Sequence, residues 1–236
     1  VIPIELEAGE KLRIFLRVRT SSSFRVPLRL WHSQSFFTED ATIVIIQGLY
    51  FGLVLVMALY NLFVYVTLRE RAYLFYVLFV LAWAVFQAAL EGLSYQYLWP
   101  NSPWWSEKVL VVFLAIAEIA GCVFANEFLG LREHAKKLYL YFSGIVWIAL
   151  AGAILALFLP YAVVIRLVIA LALLMIPACF IAGVLRWGQG SVEARYYTIA
   201  WASFLFGAGT ISLTSFGVLP ANLFTANGPQ IGSALE

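Results

Sequence analysis

Glu91, Gln87 and Tyr95 are the side chains of this 236-residue chain whose types and spacing best suit recognition chemistry. Each is four positions from the next, and i, i+4 spacing puts all three on one face of a helix. A carboxylate, an amide and a phenol on one face make a surface for a polar ligand. Arg166, in a later apolar run, is expected at similar depth and can oppose Glu91. These four residues define a candidate ligand pocket, with a purely structural ion pair as the alternative, since polar groups also hold helices together in lipid. Glu118 lies in the middle of another apolar run with no charged neighbour within a helical turn, an expensive place for a carboxyl. It reads either as a neutral, packed group hydrogen-bonded to another span or as part of a proton relay. Asn61, beside Tyr60, is expected to bond to a neighbouring helix, and Gly48/Gly52 and Ser203/Gly207 have the spacing that lets helices approach closely.

No catalytic or metal-binding set can be assembled around these groups. His32 and His134 do not share a helix, so there is no pair for an intramembrane zinc site. The chain has no G-x-S-x-G elbow, P-loop or kinase signature, and no cofactor is implied. Cys122 and Cys179 lie in apolar runs and read as small buried hydrophobes. A net charge of +2 offers nucleic acid no electrostatic footprint.

The elements that must carry these residues are helices solvated by lipid. Hydrophobic residues make up 63% of the chain and charged residues 12%, against about 45–50% and about 25% in soluble domains. Apolar runs over 41–68, 72–99, 107–130, 138–159, 162–185 and 195–219 each meet the ~20 residues a helix needs to cross a bilayer. A seventh run, 228–236, stops as it begins, so the chain reads as an excerpt of a longer protein. Pro177 is expected to kink the fifth span. Residues 1–38 differ, because Leu12, Arg13, Ile14 and Leu16, Arg17, Val18, Arg19 alternate apolar and polar side chains, which means strand. Two units follow: 1–38 as the end of a β domain with its linker, and 39–236 as the membrane domain. Lys and Arg concentrate in alternate loops, at Arg69 and Arg71, at Arg132, Lys136 and Lys137, and at Arg186 and Arg195. That asymmetry predicts an extracytoplasmic amino terminus and a cytoplasmic carboxyl terminus.

Three groups of residues together resemble the bacterial 7TM receptors with diverse intracellular signalling modules: Tyr50, Gly52, Ala58, Leu59, Tyr60, Asn61; Arg69, Glu70, Arg71, Tyr73, Tyr76; and Glu91, Gly92, Tyr95, Leu98, Trp99, Pro100. Gly9, Glu10 and Pro27 to Trp31 are similar to the end of that family's extracytoplasmic β domain, and Gln230, Gly232, Ser233, Leu235, Glu236 to the start of its seventh span. The resemblance implies an all-α integral membrane fold, a seven-helix bundle with its last helix truncated, preceded by the terminal strands of a β-sandwich. It implies a sensor in a bacterial cytoplasmic membrane, with lipids around it and an extracytoplasmic, carbohydrate-like ligand. A cytoplasmic output domain in the same chain, such as a diguanylate cyclase, histidine kinase or phosphatase, would follow, and a homodimer is one arrangement open to it. The membrane fragment itself is expected not to be an enzyme. A transporter using Glu118 and Glu91 along a path is the competing reading.

Overall fold

Helix follows wherever the apolar runs are free of breakers, and in several places it runs past the limits that hydropathy suggests. The computed structural model describes Leu12, Arg13, Phe15, residues 33–215 and residues 228–235. Its long helices are α1 (Ser33–Leu68), α2 (Arg71–Leu90), α3 (Pro103–Phe128), α4 (Lys136–Leu155), α5 (Tyr161–Gly188) and α6 (Val192–Ser215). An eight-residue helix, α7 (Gly228–Leu235), follows. Five stretches are long and apolar enough to cross a membrane: Ala41–Leu68, Arg71–Leu90, Trp104–Phe128, Lys136–Leu155 and Tyr161–Gly188, with mean hydropathies of 2.0–2.8. α6 occupies the stretch expected as the sixth span as far as Ser215 but is not among those five, and the remainder lies outside the described residues.

Two boundaries differ from the sequence reading. α1 begins at Ser33, inside the stretch read as a linker, because 33–47 contains neither Pro nor Gly to stop a helix. At ~1.5 Å per residue its 36 residues outrun a ~30 Å hydrocarbon core, so its first turns need not be apolar. α2 stops at Leu90 instead of continuing to 99, because Gly92 takes the left-handed conformation (φ 77°) that side chains resist. A π-helical turn, Ser94–Leu98, carries the chain onward. Of the expected strands within 1–31, the described residues Leu12, Arg13 and Phe15 are not in a strand, and the remainder, with the β-sandwich, lies outside the described residues. The chain divides into units Val1–Leu30 and Trp31–Glu236.

Within the helical unit α3 is the axis. Two thirds of its apolar stretch is buried in the protein, 67%, against 22–33% for the other four spans, so α3 is solvated by protein and they largely by lipid. Its stripe Val111, Ala115, Glu118, Cys122, Ala125, Leu129 follows the 3–4 residue helical repeat and is buried throughout. Phe142 of α4, Met175, Cys179 and Ala182 of α5 and Tyr197 and Trp201 of α6 share the core cluster of its lower half.

Small residues set the helix spacing. A Cβ on Gly183 would meet Thr198 Oγ1 at 2.6 Å, and one on Gly121 would meet Met175 Cε at 2.8 Å. The Ser203/Gly207 pair does mark a close approach: Gly207 faces Gly228 and Gly232 of α7 so tightly that a Cβ would run into the Gly228 carbonyl. Gly48 and Gly52 do not, since nothing lies within 4 Å of a Cβ at either position. Thr198 and Ser203 are satisfied by their own helix, Thr198 Oγ1 donating to the Ala194 carbonyl (2.6 Å) and Ser203 Oγ to that of Ile199 (3.2 Å).

Candidate functional site

Hydrogen bonds between loops show which helix ends lie together. Lys108, at the start of α3, donates from Nζ to the carbonyls of Ala156 (2.7 Å) and Leu159 (3.1 Å), beyond the last turn of α4. Arg186, near the end of α5, donates from Nε to the Leu129 carbonyl (2.8 Å) at the end of α3 and from its guanidinium to Gln189 Oε1 (2.7 Å). Both cations meet helix carboxyl ends, where orphan carbonyls and the dipole favour positive charge. The loops before and after α3 are thereby tied at opposite ends of an antiparallel bundle. Glu91, Lys108 and Arg166 belong to one end, and Arg69, Arg132 and Arg186 to the other.

At the Glu91 end, Gln87 is buried within α2, while Glu91 caps the helix and is exposed. The Glu91 backbone N–H still reaches the Gln87 carbonyl (3.1 Å), so these two keep the expected i, i+4 relation. Tyr95 does not extend that stripe, because Gly92 redirects the backbone and Tyr95 enters the separate π turn. Arg166 is exposed one turn into α5, and no ion pair joins it to Glu91 among the described residues. Around the same end Trp99, Trp104 and Trp105 form a contiguous aromatic group, with centroids 6.2 Å and 6.4 Å apart, and the Lys108 ammonium lies 5.6 Å from the Trp104 ring. Rings of this kind suit the boundary between bilayer and water.

Glu118 is in the middle of the bundle, 3% exposed, and neither carboxylate oxygen has a hydrogen-bond partner among the described residues. Cys122, one turn on, has Cys179 and Glu118 as its electrostatic neighbours. The indole nitrogens of Trp83 and Trp201 likewise lack partners among the described residues. Asn61 bonds within its own helix, its Nδ2 donating to the Met57 carbonyl (2.9 Å), and not to a neighbouring span as expected. An amide four residues from a carbonyl on a helix has that partner always within reach, which is why the local bond prevails.

Sequence reasoning passed over Gln47 and gave Gln230 no partner. Both are buried, and Gln230 Nε2 donates to Gln47 Oε1 (3.3 Å), joining α7 to α1. An amide in the apolar run of α1 was the available signal. Beyond the far end of α5, Ser191 caps α6: its Oγ accepts from the Ala194 backbone N–H (3.3 Å) and donates to Glu193 Oε2 (2.9 Å). Hydrogen bonds from the Glu193 backbone N–H and then from Ser191, with Arg186 attraction behind them, hold the Glu193 carboxyl below its ordinary range.

Five apolar spans, four of them around the buried axis of α3 and exposing leucines, valines and phenylalanines on their outer faces, define a multi-pass membrane protein. The chain belongs to the 7TM diverse intracellular signalling family, whose family model matches residues 43–236. It is thus a transmembrane signalling module of sensor type. Neither a curated protein nor a solved structure matches it.

Proposed function

We propose that this chain is the membrane unit of a bacterial cytoplasmic-membrane receptor, with its amino terminus extracytoplasmic and its seventh span continuing past Glu236 to a cytoplasmic output domain. The observation that carries the proposal is the family match over 43–236, which takes in α1 from residue 43 and the later helices through α7. The basic loops at the Arg69, Arg132 and Arg186 end support a cytoplasmic location for that end. The opposite end then faces outward with Gln87, Glu91, Tyr95 and Arg166. Glu91 and Arg166 serve there as separate charges toward a polar, carbohydrate-like ligand, and the bundle passes the signal by shifting between two packed arrangements that the ligand binds unequally.

Three measurements test this. Ser102→Cys and Ala135→Cys, each in a background lacking Cys122 and Cys179, should differ in labelling by an impermeant reagent applied outside; labelling at Ala135 alone inverts the topology. The coding sequence after Glu236 should encode a regulatory or catalytic domain, whereas further apolar spans would favour a permease. In the full-length protein, a thermal-shift screen with soluble oligosaccharides should give a response that Glu91→Gln abolishes, and a response unchanged in that variant removes Glu91 from the site.

A further inference from the structure

A groove of about 420 Å3 opens toward the Arg69 end of the bundle, lined by Met57, Tyr60 and Asn61 of α1, Tyr73 of α2, and Phe124 and Phe128 of α3. The interface between α1 and α7 leads directly to it. Gln230 bonds to Gln47, and the Ser233 hydroxyl lies 3.2 Å from the Tyr50 hydroxyl; both pairs are separated by 183 residues. A constant offset means that the two helices run parallel and level, each rising ~1.5 Å per residue. Seven residues are close to two turns, so Met57 and Asn61 fall on the α1 stripe of Tyr50 and Val54. Tyr50, at the upper end of that stripe, already meets α7 at Ser233, while Val54 packs with Ala84 of α2. The positions level with Met57 and Asn61 are 240 and 244, which continue the Ser233 and Gln230 face of α7 by the same seven-residue steps.

We infer that this groove is the seat of the inner half of the seventh helix, whose first two turns are α7. The inference rests on the reading above that the span continues past Glu236. Continuity with an existing interface favours this occupant over a lipid acyl chain. The lining also specifies the chemistry: aromatic rings and the Met57 thioether call for an apolar side chain at 240. Because the groove joins α1, α2 and α3, its occupant touches the three helices nearest the Arg69 loop, and a change in their spacing is transmitted to the segment leading out of the membrane.

Disulfide cross-linking in the full-length protein, in membranes, tests the seat. In a background of Cys122→Ala and Cys179→Ala, cysteines at Met57 and position 240 should oxidise to a cross-link at least ten times the yield of a Leu59/240 pair, Leu59 being exposed on another face of α1. The fragments are read after cleavage at a protease site placed in the loop around Gly190. A Tyr50→Cys/Ser233→Cys pair reports whether α7 is docked. If that pair cross-links and Met57/240 does not, the seat is refuted while the seventh span stands. Copurified phospholipid lost on Tyr60→Ala would then identify lipid as the occupant. If the residues after Glu236 are polar and 240 is labelled by aqueous reagent, the underlying reading of the seventh span fails instead.

Discussion

Replacing Lys108 by methionine keeps the length of the side chain and removes the cation that ties α3 to the end of α4. In the structure Nζ donates to Ala156 at 2.7 Å and to Leu159 at 3.1 Å, the first partly buried and the second exposed. A hydrogen bond involving a charged group contributes about 1.5–3 kcal/mol net, and a cation at a helix carboxyl end about 0.3–1 kcal/mol. The exposed bond adds little, so Lys108→Met should cost about 2–4 kcal/mol, roughly a 30- to 700-fold shift in the unfolding equilibrium. Reversible unfolding in mixed micelles, titrated with a denaturing detergent, measures this. Lys108→Arg, which keeps a charged donor, should recover a substantial part of the loss. Trp104→Ala should cost only about 0.5–1 kcal/mol, the worth of an exposed cation–π contact. A loss below about 0.5 kcal/mol for Lys108→Met would refute the argument, because the two carbonyls would then be equally well satisfied by water.

Gly207→Val should dislodge α7, since the new side chain meets the Gly228 carbonyl, at a cost of about 1–3 kcal/mol; loss of the Tyr50→Cys/Ser233→Cys cross-link reports it, and Gly48→Val, with open space around it, should leave that cross-link intact. Glu118→Leu should stabilise the bundle by about 1–3 kcal/mol by removing a buried carboxyl that has no partner among the described residues, whereas a loss of that size would reveal a partner formed in the membrane. The Glu193 carboxyl is held below its unfolded value, so its contribution to the α6 cap is complete above about pH 4.3 and disappears as pH falls through its lower folded value. The protection of the Ala194 amide, its hydrogen exchange measured against the intrinsic rate at each pH, should fall across that acid window in the wild type, and Ser191→Ala should flatten the dependence.

Length and hydropathy made the membrane helices legible before any coordinates, because burial in lipid demands only an unbroken apolar run of sufficient length. Gly207 was legible as a contact from its spacing to Ser203, although the same spacing at Gly48 and Gly52 marks no close approach. The burial of Glu118 followed from its position in the middle of a span. Three features had no such one-dimensional signature. α2 could have continued to Trp99, and it ended at Leu90 because Gly92 accepted a left-handed turn that an apolar count does not register. The Glu91–Arg166 pair was reasonable by depth, yet depth says nothing of rotation about the helix axis, and the two side chains do not meet. Arg186 was read as a loop charge, while the structure gives it, and Lys108 at the other end, carbonyl partners 48–57 residues away in sequence. The sequence by itself therefore determined that the chain enters lipid as long apolar helices. Which faces meet was decided only in three dimensions, because helix rotation and close approach depend on every neighbour at once.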